Sequence, residues 1–474
     1  MKNFKFIWAI GSAVTAAIIV TPIVLLISPD RNQVVDPWQY VETRTPDTDH
    51  SALLPGPYET GQEVTAACLD CHPDAAIDVS HTTQWTWLAE PVEVEWRDEL
   101  VETGKANVLN NFCIGIQSNW TGCTRCHAGY GWEDDSFDFS AEENVDCLVC
   151  HDQSGTYAKG NAGQPVEGVD LAMAAQSVGT PTRANCGYCH FNGGGGNGVK
   201  HGDMDDSLLH PPDAVDVHMG ANDFLCIDCH TTEDHLISGR SISVSVDDAH
   251  QIACEDCHGS NTHDDDRISA HLESVACVTC HVPLGARRDP TKMHWDWSTA
   301  GLDIEEDDHA YLKIKGSFIY ESDFVPEYFW YNGTVSYRYL IGDPLDPDGV
   351  TQMNPPAGDI NDPTAQIWPF KVHVATQPYD TVHNYLLQPQ TVGEDGYWTT
   401  FDWLDALTRG SETIGLPFSG EFGFAETEMY WPLAHMVVPG EQALQCTDCH
   451  GENTRFDWEA LGYPGDPMVW GGRD

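Results

Sequence analysis

Cys113-Ile-Gly-Ile-Gln-Ser-Asn-Trp-Thr-Gly-Cys123-Thr-Arg-Cys126-His127 is followed, across a Gly/Trp/Asp-rich bridge, by Cys147-Leu-Val-Cys150-His151-Asp-Gln-Ser-Gly-Thr-Tyr-Ala-Lys159. Each half holds a C-x-x-C-H unit, the attachment signature of c-type haem. Its two thiols add to the porphyrin vinyl groups, and the histidine after the second thiol is placed to bind the iron. An unpaired cysteine precedes the two units and a lysine follows them.

Outward from this stretch the unit recurs. The eight copies are Cys68, Cys71, His72; Cys123, Cys126, His127; Cys147, Cys150, His151; Cys186, Cys189, His190; Cys226, Cys229, His230; Cys254, Cys257, His258; Cys277, Cys280, His281; and Cys446, Cys449, His450. They use 16 of the 17 cysteines and leave Cys113. Zinc sites also use paired C-x-x-C, but zinc sets no rule that histidine follow each pair. A disulfide scaffold belongs to short secreted chains. Eight covalently bound c-type haems are therefore expected.

With 74 acidic and 22 basic residues the formal charge is -52. Nucleic acid and anionic lipid surfaces are disfavoured partners on that ground. The acidity reads as a solvated shell, with a dock for a basic redox partner as the sharper alternative. The 16 Trp and 16 Tyr suit packing on flat macrocycles.

The spacing predicts the layout. Residues 1–29 hold two lysines and an apolar run over 6–27, long enough to cross a bilayer and without a small-x-small exit. We expect a membrane anchor rather than a cleaved signal, with the body exported to the periplasm or the outer face of the cytoplasmic membrane. Residues 30–67 read as a tether and 68–281 as a haem body with seven sites. Residues 282–440 form an aromatic insertion without motifs, and 441–474 hold the eighth site and a tail. The expected fold is mainly α and coil-rich, with the insertion partly β: Asn332-Gly333 signals a turn between strands in Phe329–Tyr339. Short helices are expected over Leu171–Val178 and Ala249–Cys257, and a loop over Gly193–Gly198.

Electron-transfer haems take a second strong ligand. Beyond the motifs 14 histidines remain, twice what seven partners require. Lysine is scarce, and a buried lysine can offer a neutral amine to iron. Lys159 lies eight residues after His151, which leaves it either a solvated cation or a ligand. Cys113 is either an inert buried thiol or a soft sulfur group beside the second site.

The runs Cys123–Trp132 and Val145–Lys159 resemble the octahaem tetrathionate reductase family of c-type cytochromes. So do Val199–Asp203, Asp216–Gly220, Trp295–Gly301, Gly333–Gly342 and Tyr430–Met436, and the similarity extends from about residue 65 to the C-terminus. The resemblance implies seven haems with two histidine ligands and one with lysine. It makes His127 the proximal and Lys159 the distal ligand of the second haem, with Cys113 as its nearby cysteine. It implies distal ligands at His81, His201, His218, His235, His263, His271 and His435, with His250, His294, His373 and His383 in reserve. It implies reduction of tetrathionate, nitrite or hydroxylamine, drawing electrons from a redox partner protein or a membrane quinol-oxidising complex. The alternative is a conduit of saturated haems without catalysis.

Overall fold

The computed structural model describes residues 36–113, 115–246, 251–259 and 262–473. The apolar run over 6–27 and His250 lie outside these. Among the described residues no helix is long and apolar enough to cross a membrane. The chain divides into Met1–Arg44 and Thr45–Asp474. The described part of the first unit holds one 3-10 turn, Pro37–Tyr40, capped by Asp36.

Helices in the second unit are short, because the haem motifs interrupt the chain before an apolar face can build up. Cys147–His151 is one helical turn, begun by Asp146, whose carboxylate accepts from the Val149 N–H at 3.1 Å. Arg183–His190 starts on a reciprocal box in which Asn185 accepts from the Thr182 N–H at 2.9 Å. Leu171–Gln176 is helical as expected. Of the stretch Ala249–Cys257, expected to be helical, the described part holds the 3-10 turn Cys254–Asp256. Gly193–Gly198 is loop, with Gly194, Gly195 and Gly198 at positive φ. The longest helix, Trp403–Ile414, lies outside the seven-motif stretch. The body is therefore coil-rich, helical only in brief turns.

The strands are β1 (Thr232–Glu233) and β2 (Leu236–Ile237), a two-stranded ribbon, and eight that join one sheet. These are β3 (Thr291–Asp296), β4 (Tyr311–Leu312), β5 (Gly316–Glu321), β6 (Glu327–Tyr331), β7 (Thr351–Gln352), β8 (Gln366–Asp380), β9 (Tyr385–Leu386) and β10 (Phe422–Pro432). The main path runs β4-β5-β3-β8-β10-β7, with β6 and β9 also on β8. One edge of β8 follows β10 from Phe370 to Asp380. Its other edge pairs in turn with β6, β3 and β9. Pro369 and Pro378, which cannot donate to a ladder, stand near the two points where that edge changes partner.

The hairpin expected around Asn332-Gly333 does not form. β6 pairs with β8 instead of folding back on residues 335–339. Asn332 accepts from the Thr334 N–H at 3.1 Å, and Gly333 has φ +97°, which turns the chain into a loop. Arg338 is then buried, donating to the carbonyls of Met353, Leu109 and Ser243. Trp295, Trp297, Phe318, Ala375, Tyr397 and Ala406 form a core beside the sheet, and Cys113 packs against its edge.

Candidate haem sites and the cationic pocket at the second motif

An iron between two imidazoles lies roughly 2 Å from each nitrogen, which sets the ring centroids about 6 Å apart. Four motif histidines meet such a partner. His258 faces His218 at 6.0 Å and His230 faces His435 at 6.3 Å; His281 faces His263 at 6.3 Å and His450 faces His271 at 6.1 Å. The residues present therefore fit haem. The thiols in this structure stand for the thioether sulfurs of the attached group.

A ligating histidine usually fixes its second ring nitrogen on an acceptor. Nδ1 of His151, His230 and His271 sits 2.9, 2.8 and 2.6 Å from the carbonyls of Gly179, Ser238 and Arg267. Nδ1 of His450 meets Asp466 at 2.7 Å and that of His435 meets Asp203 at 3.2 Å. Of the other expected ligands, His235 lies near His151 and His201 near His190. His81 ends the helix Ala75–Ser80, just beyond the first motif. His190 is exposed and His201, His435 and Cys150 are half-buried, so a flat cofactor can reach each of them.

Thiols of different motifs also touch: Cys68 with Cys147, Cys126 with Cys189, Cys186 with Cys226, and Cys254 with Cys277. The first site thus adjoins the third, the second adjoins the fourth, the fourth the fifth, and the sixth the seventh.

The second site differs from the rest. His127 is fully buried, and its Nε2 donates to the Trp85 carbonyl at 2.6 Å while Nδ1 has no partner. Trp85, Trp87, Trp132 and Phe137 ring it at centroid distances of 5.0, 5.6, 4.7 and 5.5 Å. Burial holds its pKa down, to about 3.

Lys159, the distal ligand that the resemblance implies for this site, is held here by protein groups. Its side chain, 0 % exposed, pairs with the equally buried Asp146 at 2.8 Å. Its other two donors go to the carbonyls of His127 at 2.5 Å and Gly129 at 2.9 Å. An ammonium has three donors and no lone pair, and all three are used. Tyr130 and Tyr157 donate to the same carboxylate at 2.7 and 2.9 Å, which completes a closed buried network.

Lys200 has the opposite surroundings. It is half-buried, and its ammonium meets the rings of Trp431 at 5.3 Å and Phe112 at 6.0 Å. Burial, helped by Lys105 and opposed by Cys126, brings its pKa down to about 8. The histidines it acts on are His190 and His201, which places it at the fourth site.

More cations converge here. Lys371 is fully buried, donating to Val199 and Lys200 carbonyls at 2.9 and 3.2 Å and to Thr291 at 2.6 Å. Lys292 lies over Trp295 at 3.5 Å and Phe318 at 4.0 Å, and burial pushes its pKa well down. Cys113 is close enough to Lys292 and to Cys123 to influence both. His373, a reserve ligand, instead meets Asn111 at 3.0 Å through Nδ1, and its buried Nε2 has no partner. In a chain of net charge -52 this interior gathers amines whose burial favours the neutral form, so an entering small anion would restore the charged form of those it reached.

Two families match parts of the chain: bacterial cytochrome c over residues 292–453, and cytochrome c554 and c-prime over 212–259. No curated protein matches it. A solved structure, the octaheme cytochrome c from Shewanella oneidensis, is similar with a TM-score of 0.84 and 49 % identity. The match covers 89 % of this chain and 98 % of that one. With its eight motifs and facing imidazoles, the chain belongs to the octahaem c-type cytochromes and carries covalently bound c-type haems.

Proposed function

We propose that the chain is an exported octahaem reductase of a small sulfur or nitrogen substrate, tetrathionate, nitrite or hydroxylamine, acting at the haem of Cys123 and Cys126. That haem supplies an iron that can take a substrate atom and the electrons that reduce it. The residues around it do the rest. Lys159, against the His127 carbonyl and close enough to act on His127 and Cys126, offers once deprotonated an amine as exchangeable distal ligand. Lys292 takes up a proton as an anion enters and donates to it, Lys371 holds the Val199 and Lys200 carbonyls in place, and Cys113 lines the approach. The fourth site, touching through Cys126 and Cys189, delivers electrons, and the fifth supplies the fourth. Seven histidine-sealed sites serve as the relay, with His81 left for His72, His235 for His151 and His201 for His190. Residues 68–281 hold seven of the haems, with 282–440 wrapped around them. Export follows from the haems, and an anchor over 6–27 would hold the chain at the membrane near a quinol-oxidising complex.

The observation that supports this reading is the fully buried amine of Lys159, 2.5 Å from the His127 carbonyl. Lys159→Ala is expected to convert one haem in eight from low-spin to an open or water-bound signature by electron paramagnetic resonance. Reduction of nitrite, hydroxylamine or tetrathionate should change at least tenfold, about 1.4 kcal/mol. Lys200→Ala should leave that signature alone. The reverse pattern would give the ligand role to Lys200. The four sealed imidazole pairs also suit a non-catalytic conduit. That reading gains if neither variant changes the spectrum.

A further inference from the structure

The tail turn Pro467–Trp470 exposes three consecutive large apolar side chains: Met468 at 72 %, Val469 at 77 % and Trp470 at 66 %. They are more exposed than any other large hydrophobic residue among the described ones. A loose tail would explain that, but this turn is held at both ends. Asp466 caps it, accepting from the Met468 N–H at 2.9 Å. Beyond it Arg473 donates to the carbonyls of Ala365 at 2.7 Å and Asp362 at 2.6 Å and lies 5.1 Å from the Trp330 ring. Trp470 lies against Gly465, where a Cβ would come within 2.8 Å of the indole nitrogen. The apolar residues are thus presented outward on a fixed bow.

The same Asp466 meets Nδ1 of His450, the proximal ligand of the eighth site, at 2.7 Å. The facing ligand His271 is itself at the protein surface, as is Cys446. The segments that carry these ligands are acidic on their outer faces, with Asp264, Asp266, Glu273, Glu452, Asp457 and Glu459 exposed. Against them stand Arg267, paired with Asp265, and Arg455, turned to the Pro283 carbonyl.

We propose that the turn Pro467–Trp470, with its acidic surround, docks a small lysine-rich electron-carrier protein and makes the haem of Cys446 and Cys449 the place where electrons pass between this chain and that carrier. An apolar centre with a charged rim is the usual anatomy of a transient interface. The charge selects a cationic partner and steers it. A second copy is excluded as occupant by self-repulsion at -52 each and by size, since three side chains fall far short of the roughly 800 Å² per partner of a stable dimer. One electron crosses per encounter: the carrier's iron goes from ferrous to ferric, the eighth site gains that electron, and no bond or proton changes. The inference holds whether the chain is a reductase or a conduit.

The test uses the haem-loaded protein and a ferrous lysine-rich monohaem cytochrome c as probe, with stopped-flow detection. Met468→Ser/Val469→Ser/Trp470→Ser should slow the bimolecular rate about tenfold or more, as loss of an apolar anchor does. Glu452→Lys/Glu459→Lys should slow it similarly and flatten its decrease with salt. Reduction by dithionite, haem content and the reduction potentials should stay as in the parent. An unchanged rate with the cytochrome in both variants overturns the proposal. So does lost haem or a shifted potential in the triple variant, because the turn would then be covering its own haem instead of a partner.

Discussion

At the scale of single residues, two lysines with the same side chain play opposite parts because their surroundings differ. Lys159 donates to a carboxylate and two carbonyls; Lys200 lies against the rings of Trp431 and Phe112, and burial pushes its pKa down. The sign of the pH effect follows. The pKa of Lys200 falls in the fold from the usual 10.5 to about 8, so the folded chain favours the neutral amine. Below that value its buried ammonium costs stability. That cost is relieved as the pH rises from about 8 toward the ordinary lysine range. The stability of the parent relative to Lys200→Ala should therefore rise with pH from about 8 upward. Chemical unfolding of both haem-loaded proteins across that window checks this; a difference that stays constant would assign the effect to another group. The motif residues were legible in sequence to the last cysteine. The partners of each buried lysine were not, since burial and charge partners belong to segments far apart in the chain.

At the scale of elements, the insertion shows where local signals mislead. Asn332-Gly333 is a turn, as its residues dictate, but it turns the chain away from a hairpin because β8 takes β6 as partner and Arg338 claims three carbonyls. Those carbonyls come from three separate segments, around 109, 243 and 353, so one guanidinium ties the insertion to the haem-bearing chain. Arg338→Ala leaves them unpaired beside a void. A loss of about 3–5 kcal/mol is expected in chemical unfolding of the haem-loaded protein. A loss under about 1 kcal/mol would mean that water replaces the guanidinium there. Pro369 and Pro378 argue against a central strand when read alone, yet β8 is the centre of the sheet. Its partner changes at those residues were invisible without the fold.

At the scale of the whole molecule, the motif-bearing helices are one or two turns long, well short of the roughly 12 residues at which an isolated helix begins to hold in water. Much of the interior must then be porphyrin, and the chain produced without haem attachment should not fold. Circular dichroism and limited proteolysis of such material would show little helix and rapid cleavage through residues 68–281; a protease-resistant body of native size would count against this. By itself the sequence determined the cofactor, its number, the eight proximal histidines and the acid charge, because covalent haem attachment needs its residues contiguous in the chain. Only the tertiary structure decided which imidazoles face each other, which sites touch, and what surrounds each buried lysine. Those depend on contacts between distant segments, and on the exclusion of water around them, which no local spacing encodes.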